Sequence, residues 1–152
     1  EYDFAARFIE LAGDVNYRMP EYALSKIMFA LNTQKKAMNG SKILVLGVAY
    51  KPNIADPRES PILRLLELIE KKHADVSFFD PHIEKVHLED EEHTVMTGLK
   101  EFSAEDGKKY DCVVIGTDHK GLDYDAIAHA APLVVDLRNA IADRSLKHVY
   151  RF

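Results

Sequence analysis

The sequence is poor in several features, and each absence excludes a class of protein. One cysteine among 152 residues rules out an intrachain disulfide and is typical of a reducing compartment, so we expect a cytoplasmic protein. No apolar run approaches the roughly 20 residues that span a bilayer, which argues against a membrane protein. With 20 Lys and Arg against 25 Asp and Glu, the formal charge of −5 argues against a nucleic-acid surface. The chain begins at Glu1 without a methionine or a signal peptide, as a mature protein or a piece of a longer one would.

The signatures of several common enzyme sites are also missing. The sequence contains no G-x-G-x-x-G fingerprint, no G-K-[ST] of a phosphate-binding loop and no G-x-S-x-G elbow of a serine hydrolase. His82, His87 and His93 lie in an acidic stretch without the spacing of a zinc motif, so we predict no metal site. Cys112 lies inside an apolar strand, where a thiol has a raised pKa and is a poor nucleophile.

Residues 1–39 have a helical pattern and no strand signal. An apolar stripe runs from Phe4 to Val15 with a spacing of three or four residues. Met19-Pro20 is predicted to end this helix and to open a second one, and Asn39-Gly40 is predicted to cap the second. Because apolar residues occupy much of the circumference of both segments, we expect this arm to pack against another surface.

From residue 40 onward, apolar strands alternate with helices. The predicted strands are Ile43–Ala49, Asp75–Asp80, Tyr110–Gly116, Leu133–Asp136 and an edge strand at His148–Tyr150. Helices are predicted after Ser60-Pro61, near residues 101–106 and over Tyr124–Ala130. Residues 82–100 are predicted to be loop with a short strand near Val95. The alternation is typical of βαβ units, so we predict an α/β fold, a doubly wound parallel sheet preceded by an α-helical arm.

Charged residues follow the predicted strands, at the edge where open α/β sheets bind ligands. Lys51 and Arg58 lie between the first strand and a helix N-terminus, which suits a diphosphate. The alternative is a solvated loop in which Arg58 pairs only with Asp56. Arg138, after the fourth strand, would converge on the same edge unless it is only an ion-pair residue. Asp80 ends the second strand where a ribose-binding acid would lie, although a strand-ending turn residue is the simpler interpretation.

Several of these stretches together resemble one known family. The stretch from Ser41 to Pro61, S-K-I-L-V-L-G-V-A-Y-K-P-N-I-A-D-P-R-E-S-P, closely resembles the opening of the C-terminal domain of the UDP-glucose/GDP-mannose dehydrogenase family. F-D-P at residues 79–81, V-I-G-T-D-H at 114–119 and V-V-D-L-R-N at 134–139 resemble the later strand ends of that domain. Residues 8–20 resemble the family's central dimerisation helix. The D-L-R-N ending is most similar to bacterial and archaeal enzymes that act on UDP-N-acetylhexosamines.

The resemblance implies a division of the chain and an activity. Residues 1–39 would be part of the central dimerisation region of a homodimer, and residues 40–152 the C-terminal UDP-sugar-binding, Rossmann-like domain. The family oxidises C6 of a UDP-hexose or UDP-N-acetylhexosamine to the uronate with NAD. Its catalytic cysteine motif and its main NAD-binding domain would precede Glu1. No catalytic residue is therefore assigned here, and the chain alone is expected to be inactive.

The resemblance also implies roles for five residues of the loops. Tyr50 and Lys51 resemble residues that contact the UDP-sugar, and Arg58 resembles an arginine that reaches NAD across the domain interface. Arg138 or Asn139 falls where some members place a further substrate-binding arginine. Two alternatives remain, which are a stand-alone nucleotide-binding or dimerisation module and a response-regulator-like α/β protein. The second needs an acidic cluster at the strand ends, where this sequence has Tyr50-Lys51.

Overall fold

A five-stranded parallel sheet with helices on both faces forms the framework of the domain. The computed structural model describes residues 7–89 and 94–152, so Phe4 and His93 lie outside the described residues. The elements in chain order are α1 (Arg7–Thr33), β1 (Lys42–Leu46), α2 (Pro61–Glu70), β2 (Asp75–Phe79), β3 (Lys85–His87), β4 (Val95–Thr97), a 3₁₀ helix (Ala104–Lys109), β5 (Cys112–Ile115), α3 (Tyr124–Ala130), β6 (Val134–Asp136) and β7 (Val149–Arg151). The predicted α/β fold is confirmed.

The order of strands fixes where a ligand would bind. The sheet runs β2-β1-β5-β6-β7, and every neighbouring pair is parallel. The chain moves outward from β1 to β2 and then returns to the other side of β1 as β5. In doubly wound sheets this reversal leaves a crevice at the carboxyl ends of the two central strands. The crevice here lies beyond Leu46 of β1 and Ile115 of β5.

Each face of the sheet has its own apolar core. Ile43 and Val45 of β1 point to the face covered by α1 and α2, and Leu44 and Leu46 point to the face covered by α3 and the 3₁₀ helix. All four are fully buried, which explains why β1 is a continuous apolar run and not an alternating one. Cys112 lies in the first core, and complete burial raises the pKa of its thiol, as the sequence predicts.

The predicted break in the arm at Met19-Pro20 is wrong, because α1 continues through Pro20 as one helix. A proline inside a helix removes one hydrogen bond, here the bond to the carbonyl of Asn16. Asn16 is exposed, so water can take the place of the missing donor. Beyond Pro20, the residues from Ala23 to Leu31 are held against the sheet by burial, which outweighs the local preference for a break.

The predicted cap at Asn39-Gly40 is also wrong, since α1 ends at Thr33. Lys35 adopts a left-handed φ of 56°, and the Lys36 N–H donates to the Leu31 carbonyl (3.0 Å). This is a Schellman-type end with lysine at the position that glycine usually fills, so no sequence signal marks it. Gly40, with a φ of 77°, instead turns the chain into β1.

The two halves of α1 have different environments. Ala23, Leu24, Ile27, Ala30 and Leu31 belong to the core, whereas residues 7–19 are exposed along their whole length. Phe8 is 83% exposed, Leu11 59% and Val15 53%. Within the described part of the chain, these three side chains belong to neither apolar core. No described helix is long and apolar enough to cross a membrane.

A small antiparallel hairpin, β3–β4, lies where a loop with one short strand is predicted. The strand near Val95 is confirmed, and its partner β3 is missed because K-V-H offers a single apolar residue, Val86, which is buried. The buried carboxylate of Glu67 on α2 fixes the end of the hairpin by accepting the Glu89 N–H (2.8 Å) and a bond from Arg64 (2.7 Å). The helix predicted near residues 101–106 is the 3₁₀ helix, shifted by three residues.

Candidate functional site

The ends of β1 and β5 approach each other closely at two glycines. Gly47 has a φ of 78°, and a Cβ on it would lie 2.0 Å from the Thr117 carbonyl oxygen. A Cβ on Gly116 would lie 2.6 Å from the Gly47 carbonyl oxygen. The Thr117 hydroxyl donates to the Ala49 carbonyl (2.7 Å). These contacts hold the chain after β1 against the residues that follow β5. The residues after β1 form a loop, and the next helix begins only at Pro61.

This loop, residues 47–60, carries three of the five predicted site residues and leads into α2. The Tyr50 N–H donates to the Asp56 carbonyl (2.9 Å), which closes the loop on itself. Ser60 caps α2 by accepting the Ile62 N–H (3.3 Å), and Pro61 occupies the first turn, as predicted. The loop is therefore held at its base by α2 and exposes its middle.

A cleft of about 1230 Å³ opens beside these strand ends, and four of the five predicted site residues line it: Tyr50, Lys51, Arg58 and Arg138. Asn139 is not among its lining residues. Asn139 has a left-handed φ of 59°, and its side-chain oxygen accepts a bond from Arg144 (2.7 Å). The structure thus brings the three predicted cations to one cleft and leaves the asparagine outside it.

Arg138 is fixed in place by the end of β5. Its Nε donates to the Gly116 carbonyl (2.6 Å), and its backbone N–H donates to the carboxylate of Asp136 (3.1 Å). Gly116 lines the cleft as well. Arg138 follows β6, and its bond to Gly116 brings the guanidinium across the end of β5 to the switch point, the crevice between the ends of β1 and β5. Cations from two strand ends around one cleft favour an anionic ligand.

Arg58 forms an ion pair with Asp56, as expected for the solvated loop that is the alternative to a diphosphate site. Its Nε and one terminal nitrogen each donate to the carboxylate at 2.8 Å. These bonds from Arg58 lower the pKa of Asp56 to about 2, so the carboxylate is charged at neutral pH. The Arg58 side chain is also 85% exposed and lines the cleft. The ion pair with Asp56 therefore leaves the guanidinium accessible to a ligand.

Asp80 is a buried structural carboxylate. One oxygen accepts the His82 N–H (2.9 Å), which is the strand-ending turn that the sequence suggests. The other accepts the Val48 N–H (2.8 Å) and faces His119 Nε2 at 3.0 Å. The Asp80 side chain is 0% exposed and does not line the cleft, so it is not placed to bind a ribose. This network, which joins three strand ends, is the feature of the site that the sequence does not predict.

Across residues 7–89 and 94–152, no group of three or more His, Cys, Asp or Glu side chains is arranged to hold a metal ion. His82 instead packs its ring edge-to-face on His119, with 5.1 Å between the ring centroids.

Comparison with known proteins identifies the domain. A sequence model described as the UDP-glucose/GDP-mannose dehydrogenase family, UDP binding domain, matches residues 44–143. UDP-N-acetyl-D-mannosamine dehydrogenase of Pyrococcus horikoshii is 29% identical over 148 residues, covering 94% of this chain and 32% of that protein. UDP-glucose 6-dehydrogenase of Rhizobium meliloti is 30% identical over 159 residues, covering 100% of this chain and 35% of that protein. The chain thus spans about a third of the length of these relatives.

Solved structures share the fold. A UDP-D-ManNAc dehydrogenase from Pyrococcus horikoshii superposes with a TM-score of 0.77 at 24% identity, covering 99% of this chain and 34% of that chain. An NDP-N-acetyl-D-galactosaminuronic acid dehydrogenase from Methanosarcina mazei Go1 gives a TM-score of 0.75 at 26% identity, covering 100% of this chain and 32% of that chain. The family model covers β2, β5 and β6, the loop at residues 47–60 and Arg138. The chain therefore belongs to the UDP-glucose/GDP-mannose dehydrogenase family and contains that family's UDP-binding domain.

Proposed function

We propose that this chain is the C-terminal part of an NAD-dependent UDP-sugar 6-dehydrogenase and that it holds the UDP end of the substrate. The enzyme would oxidise C6 of a UDP-hexose or UDP-N-acetylhexosamine to the uronate. The observation that carries the proposal is the cleft at the switch point, where Lys51, Arg58 and Arg138 meet in a domain of this family. The relatives' names differ in the sugar and share UDP, so the nucleotide is the part assigned to this domain.

Each lining residue has a distinct role in the proposal. Lys51 would place its ammonium group against the diphosphate, and the exposed Tyr50 ring beside it, 5.7 Å from the Lys51 nitrogen, would cover the nucleoside or the sugar. Arg138 would offer a second cation, held in orientation by Gly116. Of Arg138 and Asn139, we assign Arg138, because Asn139 lies outside the cleft and is bonded to Arg144.

NAD would be held mainly by another part of the enzyme. The loop after β1 lacks the glycine fingerprint, and the Gly47–Thr117 contact closes the turn in which a dinucleotide phosphate would sit. Arg58, exposed at the edge of the cleft and oriented by Asp56, is the group that would reach the dinucleotide. When bound, NAD accepts the hydride from the substrate carbon. We place the enzyme in the cytoplasm, because one cysteine among 152 residues is typical of a reducing compartment.

The UDP proposal predicts that the Lys51→Ala variant binds UDP more weakly. Loss of a hydrogen bond to a charged group costs about 1.5–3 kcal/mol, which corresponds to a roughly 10- to 150-fold higher Kd. Isothermal titration calorimetry of UDP against the purified chain measures this change. Lys72→Ala is the matched control, since Lys72 is exposed in the turn after α2 and does not line the cleft. Equal affinities for all three proteins would remove Lys51 from the site, and a chain that binds no UDP would contradict the proposed function.

We also propose that the exposed first half of α1 forms a homodimer interface. Phe8, Leu11 and Val15 lie on one stripe and are each more than half exposed, and such stripes mark interaction surfaces. The chain is therefore expected to show a dimer mass by light scattering at micromolar concentration. Leu11→Asp should give a monomer, because it places a charge in the middle of a stripe that the dimer would bury. Glu10→Ala, on the neighbouring position, should remain dimeric, and a monomeric wild-type chain would contradict the interface.

A further inference from the structure

We propose that Asp80 and His119 form a positioning clamp for the loop that carries Tyr50 and Lys51. The inference rests on the proposed function, because the clamp affects UDP binding only if that loop contacts UDP. Neither residue lines the cleft, and both side chains are 0% exposed. They would therefore act through the loop backbone without touching the substrate.

The clamp holds the loop on both sides of Tyr50 and Lys51. Asp80 Oδ2 accepts the N–H groups of Val48 (2.8 Å) and Ala49 (3.2 Å), which immediately precede Tyr50. His119 Nδ1 accepts the N–H of Asn53 (3.0 Å), which lies two residues after Lys51. The two side chains meet at 3.0 Å, so both ends of the segment are attached to one buried pair.

The hydrogen bonds determine which ring nitrogen of His119 carries the proton. Nδ1 accepts the Asn53 N–H, so it carries no proton, and Nε2 carries the proton that it donates to Asp80. The neutral imidazole in this tautomer satisfies both bonds at once. The Asn53 side-chain oxygen adds a further tie by accepting the Lys120 N–H (2.7 Å), and Asn53 tolerates its left-handed φ of 63° in doing so.

Tyr124 on α3 holds the backbone of His119. The Tyr124 hydroxyl accepts the His119 N–H (2.7 Å), and burial raises the pKa of Tyr124 to about 12, so this hydroxyl keeps its proton at physiological pH. Asp80 follows β2, His119 follows β5 and the loop follows β1, so the clamp joins the ends of three neighbouring strands. A loop ordered in advance loses less conformational freedom when it binds a ligand. The clamp would thereby raise affinity for UDP without contacting it.

Two variants of His119 separate the two halves of the clamp. His119→Gln places an amide nitrogen where Nε2 lies, which keeps the bond to Asp80 and removes the acceptor for Asn53. His119→Asn places an amide oxygen where Nδ1 lies, which keeps the acceptor for Asn53 and removes the bond to Asp80. His129→Gln is the control, since His129 is on α3 and exposed. Comparing the two variants separates loop positioning from a general loss of stability.

Amide hydrogen exchange and UDP calorimetry on the purified chain test the proposal together. In His119→Gln, exchange at Asn53 is expected to accelerate while Val48 and Ala49 stay protected, and the Kd for UDP should rise about 3- to 10-fold, the effect of one net hydrogen bond. In His119→Asn, Asn53 keeps its acceptor while the bond to Asp80 is lost, so Asn53 protection and UDP affinity should fall less than in His119→Gln.

The outcomes are distinguishable. Faster exchange at Asn53 with unchanged UDP affinity, or equal loss of affinity in both variants, would overturn the positioning role. Unchanged exchange in His119→Gln would show that the Asn53 bond does not hold the loop, which would overturn the clamp itself. A wild-type chain that binds no UDP would overturn the proposed function, whereas the exchange pattern still decides whether His119 holds the loop.

Discussion

Replacing Gly47 with alanine is expected to cause one of the largest losses of stability that a single methyl group produces in this chain. A residue with a side chain costs about 1–2 kcal/mol at a left-handed φ, and overpacking against fixed atoms adds about 1–3 kcal/mol. The Cβ would lie 2.0 Å from the Thr117 carbonyl oxygen, and backbone atoms cannot rotate away as a side chain can. The free energy of unfolding should fall by roughly 2–5 kcal/mol, a large part of the total for a domain of this size.

Gly40→Ala is the matched control for this prediction. Gly40 has nearly the same φ, 77° against 78°, but no atom lies within 4 Å of the Cβ position. The control should therefore show only the conformational cost of about 1–2 kcal/mol. Urea unfolding followed by circular dichroism gives both values, and equal losses would show that the approach of β1 to Thr117 is not rigid. Gly47→Ala should also weaken UDP binding, because the displaced turn carries Tyr50 and Lys51.

Much of the fold could be predicted because burial leaves a direct pattern in the sequence. The run from Ile43 to Leu46 is apolar at every position because both faces of the sheet are covered, and α3 was predicted with its observed bounds, Tyr124–Ala130. The errors concern places where a local rule competes with distant contacts. Pro20 predicts a break that packing on the sheet overrides, and Lys35 ends α1 at a position where the rule expects glycine.

The site residues could be predicted only where their position in the sequence, directly after a strand, determines their place in the fold. Lys51, Arg58 and Arg138 follow strand ends, and parallel strands bring those ends to one edge, so their convergence on one cleft needs no knowledge of contacts. The Asp80–His119 pair joins residues 39 positions apart through the direction of two buried side chains, which no local pattern encodes. Asn139 shows the converse, because a left-handed backbone turns it away from the edge that its neighbour Arg138 reaches.

Replacing Asp136 with alanine is the second change from which we expect a large effect. Its carboxylate is fully buried at the end of β6 and accepts three backbone N–H groups, from Arg138 (3.1 Å), Ala140 (3.1 Å) and Ile141 (3.0 Å). Only the Ile141 bond is buried, and the other two are partly buried. A buried N–H left without an acceptor costs about 1–3 kcal/mol and a partly buried one costs less, so the free energy of unfolding should fall by roughly 3–5 kcal/mol. Asp75→Ala, an exposed aspartate on β2, should change it by no more than about 0.5 kcal/mol.

Asp136→Asn provides the intermediate case and links stability to the site. The amide keeps one acceptor oxygen and loses the other, so its unfolding free energy should lie between those of the wild-type chain and Asp136→Ala. Because Asp136→Ala removes the acceptor of the Arg138 N–H, the Ala variant should also bind UDP more weakly if Arg138 is a ligand. Urea unfolding and UDP calorimetry on the same samples measure both effects. Lower stability with unchanged UDP affinity would place Arg138 outside the binding site and leave Lys51 as the principal cation for the diphosphate.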